Sequence, residues 1–161
     1  MMKNEYNKES VTRHVEFETS HLLYGYNGKC QNLHGHSYKM EVTVAGTPSP
    51  DSGRDYQNYK AFGFCIDFKE LDRIINEVVP DHMFVANGEN CLDGMRTPEK
   101  GIIDVLKEFG LKYELMSCAP SAENMKLWLK DKIDAHLPRG LRVVRLKLWE
   151  TTDSYAEWSE E

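Results

Sequence analysis

The sequence predicts an α+β domain: an antiparallel four-stranded sheet with two main helices on one face. Three observations carry this: an alternating pair of strands joined by a Gly-rich turn at the start, two stretches of helical period in the middle, and a second alternating pair at the end. With 161 residues and 40% hydrophobic content the chain suffices for one core, so a single domain over residues 1–161 is expected. Residues 1–10 are polar and charged and are expected to be flexible.

From Val11 to Leu23 the odd positions Val11, Val15, Phe17, Thr19, His21 and Leu23 oppose His14, Glu16, Glu18 and Ser20, which is the pattern of a half-buried strand. Tyr24-Gly25-Tyr26-Asn27-Gly28 supplies turn chemistry, and His34 to Val44 alternates again, with His34, His36, Tyr38, Met40, Val42 and Val44 on one face. Two prolines and Gly53 make Thr47 to Tyr59 a loop. Asp67 is a helix N-cap with Glu70 three residues on, and Phe68, Leu71, Ile74, Ile75 and Val78 form an apolar stripe that Pro80 ends. A weak helical stretch follows near Ile103 to Phe109, then an extended piece near Tyr113 to Cys118. Ser121 opens the second main helix, whose face carries Met125, Trp128, Leu129, Ile133, His136 and Leu137. Leu141 to Glu150 reads as a strand with Val144, Leu146, Leu148 and Glu150 inward, and Ser154 to Trp158 as its hairpin partner.

The net charge of −6 argues against a nucleic-acid partner. No signal peptide and no membrane-length apolar run is present, so a cytoplasmic protein is expected. Cys30, Cys65, Cys91 and Cys118 are widely spread without a C-x-x-C pair, which excludes a Cys-rich zinc site and a secreted disulfide framework. An anionic substrate would then be met by a local cluster, for which Lys29, Lys39, Arg142 and Arg145 are candidates beside their plainer reading as surface charges.

The chemistry centres on three histidines. Residues two apart on a strand point the same way, with Cα atoms roughly 6.6 Å apart, so His34 and His36 can converge on one ion. His21 closes the third corner if the two strands pair, and Gly35 relieves crowding behind them. Three nitrogen ligands without a fourth nearby protein ligand suit a catalytic zinc with an open position, although a buried histidine bonded to a carbonyl is the commoner occurrence. Cys30, beside Lys29 and four residues before His34, suits a base or nucleophile near a metal, or is a turn cysteine. Asp81 can orient His82 for acid–base work. Glu150 ends an apolar strand face, where a carboxylate wants a partner such as the paired N–H donors of a pterin or guanine.

Taken in order, Phe17-Glu18-Thr19-Ser20-His21, Cys30-Gln31-Asn32-Leu33-His34-Gly35-His36, Ile66-Asp67-Phe68, Asp81-His82, Pro120-Ser121-Ala122-Glu123-Asn124 and Glu150-Thr151 resemble the 6-pyruvoyl and 6-carboxytetrahydropterin synthase family across nearly the whole chain. The resemblance implies the tunnelling fold, a homo-oligomer (a trimer, or two trimers stacked as a hexamer) and active sites at subunit interfaces. It implies zinc on His21, His34 and His36, Cys30 as proton acceptor, Asp81 and His82 as a proton relay, and Glu150 as anchor of the pterin ring, with Ser121 and Glu123 lining the pocket. Ser121 and Glu123 are equally explained as helix cap and first-turn acid.

The implied substrate is 7,8-dihydroneopterin triphosphate. The short Cys-x-x-x-His-Gly-His spacing is similar to the bacterial queuosine branch, so the expected enzyme is a zinc-dependent carbon–carbon lyase forming 6-carboxy-5,6,7,8-tetrahydropterin, acetaldehyde and triphosphate. Triphosphate elimination to 6-pyruvoyl tetrahydropterin, or a non-catalytic zinc and pterin binding module, are the alternatives. Three departures fall on the substrate-side segments: Met83 to Asn87 stands where the family has a Leu-Asn pair, Ser121 replaces a Thr, and the stretches 47–59 and 85–118 are expanded.

Overall fold

The computed structural model describes residues 9–47 and 63–160; the expected flexible residues up to Lys8 and all but Thr47 of the expected 47–59 loop lie outside them. The order is β1 (Ser10–His21), β2 (His34–Gly46), α1 (Phe68–Val78), β3 (Met83–Asn87), α2 (Pro98–Glu108), β4 (Tyr113–Met116), α3 (Ala122–His136), β5 (Leu141–Trp149) and β6 (Tyr155–Ser159). They build a six-stranded sheet in the order β4-β3-β1-β2-β5-β6.

The antiparallel four, β1, β2, β5 and β6, are the strands expected from alternation. The α+β class holds, but the sheet is larger and mixed: β3 runs parallel to β1 and to β4. The reason is burial on both faces. Val85 belongs to the main core with α1 and α3, whereas Phe84 and Ala86 pack on the other face with Ile103 of α2. A strand covered on both sides shows an unbroken apolar run instead of alternation. β3, α2 and β4 form a βαβ unit, the usual way to join neighbouring parallel strands.

Helices α1 and α3 share the main core over β1, β2 and β5. Asp67 caps α1 by accepting the Lys69 N–H at 2.7 Å, and Leu71, Ile74, Ile75 and Val78 are buried. Phe68, placed in that stripe by its spacing, is exposed and lies under the Arg13 guanidinium, which also forms a two-pronged pair with Asp72. In α3, Met125, Leu129 and Ile133 face the core, while His136 is exposed and bonded to its own helix through the Lys132 carbonyl.

Strand β5 departs from simple alternation. The register against β2 shifts between Thr43 and Val44, so Val144 is the extra residue of a bulge and Val143 takes the inward position with Leu146 and Leu148. The inward phase of Leu146, Leu148 and Glu150 survives the shift.

Candidate metal centre

The β1–β2 hairpin register sets His21 opposite His34 and Thr19 opposite His36, so the inward parity of both strands delivers three imidazoles to one place. Their ligating nitrogens all lie within 4.8 Å of one another. Gly35 sits behind them because a Cβ there would meet the Thr19 carbonyl oxygen at 3.0 Å.

The tautomers follow from the partners. His21 Nδ1 lies 2.6 Å from the Pro120 carbonyl oxygen and His34 Nδ1 lies 2.7 Å from that of Asn32, so each Nδ1 carries the proton and donates it. Both Nε2 atoms then present lone pairs, and they face each other at 3.1 Å. Two lone pairs at that separation repel unless a proton or a cation lies between them. Burial foremost, and secondarily the neighbouring His34, hold the His21 pKa below its usual 6.5 despite the Pro120 bond, which disfavours the proton. A metal ion between the two nitrogens would relieve that repulsion. Tetrahedral zinc with nitrogen ligands near 2.0–2.1 Å would require an N···N spacing of about 3.3 Å.

The third imidazole points to the same conclusion. His36 Nε2 is buried and has no hydrogen-bond partner among the described residues, and burial lowers its pKa as well. Its nearest acid is Glu150 Oε1 at 3.5 Å, too long for a hydrogen bond. The same oxygen is 3.5 Å from His21 Nε2 and accepts the Tyr38 hydroxyl at 3.2 Å. Burial, then the Glu150 carboxylate and last Cys30, push the Tyr38 phenol well above the usual tyrosine range, so it stays protonated and donates to Glu150. The donor set, three convergent Nε2 atoms with an adjacent carboxylate, fits a divalent ion such as zinc.

Of the site residues expected from sequence, His21, His34, His36 and Glu150 are together. Cys30 is half-buried in the turn over the end of β1, its carbonyl accepting the Leu23 N–H at 2.8 Å. Asp81 and His82 meet each other, with Asp81 Oδ1 2.9 Å from His82 Nδ1 and accepting the Glu18 N–H, also at 2.9 Å. The Glu18 N–H, more than His82, keeps the Asp81 carboxyl below its usual range. His82 has φ 54, the one positive value at a non-glycine among the described residues, held by its N–H on the Glu18 carbonyl at 2.6 Å.

The partners of this dyad lie at Glu18 and not among the three imidazoles. His82 is exposed on a cleft of about 810 Å³ on the sheet face to which the parity of Glu18, Ser20 and Ser37 belongs, lined also by Gly35, His36 and Lys112. Ser121 caps α3 through the Asn124 N–H at 3.4 Å, and Glu123 is exposed in the first turn. Arg142 and Arg145, candidates for binding an anion, are paired with Glu160 and with Glu157 and Glu41. Lys39 lies over Trp149, and Lys29 is exposed. Sequence reasoning missed the Tyr38 hydroxyl and the Pro120 and Asn32 carbonyls. Only Tyr38 had a signal, its inward phase two residues after His36.

A family model described as 6-pyruvoyl tetrahydropterin synthase matches residues 10–161. A protein of Haemophilus influenzae named 6-carboxy-5,6,7,8-tetrahydropterin synthase is 29% identical over 153 residues, covering 93% of this chain and 98% of that protein. One of the same name from Aquifex aeolicus is 28% identical over 177 residues, covering 96% and 99%. The structure of 6-pyruvoyl tetrahydropterin synthase from Caenorhabditis elegans matches with a TM-score of 0.60 at 16% identity, covering 96% of this chain and 97% of that one, which shows the shared fold. An uncharacterised protein of Wolinella succinogenes does so with a TM-score of 0.63 at 18% identity, covering 95% and 98%. With the three-histidine centre on the hairpin and a family match running from Ser10 to the last residue, the chain belongs to the 6-pyruvoyl tetrahydropterin synthase family.

Proposed function

We propose that the protein is a zinc-dependent 6-carboxy-5,6,7,8-tetrahydropterin synthase, converting 7,8-dihydroneopterin triphosphate to 6-carboxytetrahydropterin, acetaldehyde and triphosphate as a cytoplasmic enzyme of queuosine precursor synthesis. The observation that carries the reading is the pair of facing Nε2 lone pairs with Glu150 Oε1 beside them, a metal-binding donor set and a ring-anchoring carboxylate in one place. The relatives that share the carboxy-synthase name span nearly all of this chain and favour this product over the pyruvoyl one.

Zinc on His21, His34 and His36 would act as a Lewis acid toward the side-chain hydroxyls of the substrate. Glu150 accepts paired N–H donors of the pterin ring, each carboxylate oxygen having lone pairs to spare. Cys30 takes a proton from the substrate side chain. His82, oriented by Asp81 through Nδ1, presents Nε2 for the second proton transfer. Because His82 opens on the sheet face of Glu18, Ser20 and Ser37, we assign the relay at each centre to a neighbouring copy in a homo-oligomer, a trimer or hexamer. Ser121 and Glu123 would line the ring pocket.

Incubation of the zinc-loaded protein with 7,8-dihydroneopterin triphosphate, followed by mass spectrometry, tests the reading. Carboxytetrahydropterin with acetaldehyde is expected. A pyruvoyl product without acetaldehyde, or unchanged substrate, would reject it.

A further inference from the structure

We infer that Tyr38 is a positioning residue of the centre, its hydroxyl fixing the Glu150 carboxylate in the orientation that receives a pterin ring. The inference rests on the reading of Glu150 as the ring anchor.

Tyr38 is fully buried, stacked on Phe17 with centroids 5.3 Å apart and planes 10° from parallel, and edge-on to His36 at 5.4 Å. A phenylalanine would fill that space as well, and a buried hydroxyl is costly unless it is bonded. Among the described residues its hydrogen bond goes to Glu150 Oε1. Glu150 needs such a partner. It lies just beyond β5 in a turn closed by its own N–H on the Ser154 carbonyl at 3.1 Å, and its side chain is 27% exposed, free to swing to water. The two imidazoles near Oε1 stand too far away to hold it, and their Nε2 atoms are the ones that face the metal position. The Tyr38 hydroxyl, on a ring that cannot move, is the fixed donor. It occupies one lone pair of Oε1 and leaves the other, with both of Oε2, for two N–H donors of a planar ring.

Tyr38→Phe, Glu150→Gln and the double variant, each loaded with cobalt(II), separate this from a packing role. The readouts are the Kd of pterin itself by fluorescence titration, the cobalt d–d spectrum and turnover. Tyr38→Phe is expected to weaken pterin binding and raise KM by roughly tenfold, with a smaller change in kcat. It should also shift the cobalt spectrum toward that of Glu150→Gln. In the Glu150→Gln background it should change neither further, because it acts through the carboxylate. Equal effects in both backgrounds, or none in either, overturn the inference. A wild-type protein that binds pterin without turnover rejects the proposed reaction and leaves the binding cycle to decide on Tyr38. One that binds no pterin rejects the ring-anchor reading too, and the inference about ring orientation falls with it, while an unshifted cobalt spectrum shows separately that Tyr38 does not hold Glu150.

Discussion

At the scale of single residues, the histidine cluster sets two of its three imidazoles where burial disfavours the charged form. His21 and His36 are held below the usual histidine pKa of 6.5 chiefly by burial. The unfolded chain therefore binds more protons than the folded one once the pH drops below that value, so stability is full above it and falls on acidification. The melting temperature of metal-free protein should decline between about pH 7 and about pH 5.5, with a shallower decline in His36→Gln. A flat profile would contradict the burial assigned to these imidazoles. Cys30→Ala should lose about a hundredfold or more in turnover while retaining one zinc per chain, as measured by product formation and metal analysis. The convergence of the three histidines was legible from residue parity, since alternation fixes direction. The carbonyls that set their tautomers were not, because Pro120 reaches His21 from 99 residues away.

Among the elements, the expanded 85–118 segment carries its own fastening. Glu99, fully buried in the first turn of α2, accepts the Asn87 N–H at 3.0 Å and the Asn90 side-chain amide, tying α2 to the end of β3. Replacing it by alanine strands two half-buried donors, and a loss of about 2 kcal/mol in urea unfolding is expected. A change under about 0.5 kcal/mol would show the bonds to be incidental. Gly35→Ala tests the hairpin: its Cβ against the Thr19 carbonyl should cost about 1–2 kcal/mol and loosen zinc by parting His21 from His34. Helices α1 and α3 were readable because each has a polar cap and a one-sided stripe. Strands β3 and β4 were not read as part of the sheet, since Phe84 to Ala86 are covered on both faces and β4 is only four residues long. The Val144 bulge, which depends on the partner strand, leaves no mark in a single sequence.

For the molecule as a whole, the sheet is left with open edges. β3 pairs with β1 only at Thr19 and Ser20, and Glu18 is taken up by Asp81 and His82, so the outer edge of Ser10 to Phe17 has no partner strand among the described residues, nor has that of β6. Such edges invite strands of another copy. If the proposed relay of Asp81 and His82 serves the centre of a neighbouring copy, Cys30→Ala and His82→Ala proteins, each expected to be inactive alone, should regain partial activity when their subunits are exchanged by mixing. Persistent inactivity would place the relay within one chain. The α+β class and the four antiparallel strands were evident from periodicity, but the face on which His82 lies depends on the parallel placement of β3. Everything proposed for this fold turns on whether the three histidines bind a metal. Equilibrium zinc titration of metal-free wild-type and His34→Ala protein tests it most directly: one tightly bound ion per chain is predicted for the wild type, and affinity lower by about a hundredfold or more for the variant. A wild-type chain that takes up no zinc, or a variant that binds it equally well, would show that the three histidines are not a zinc site.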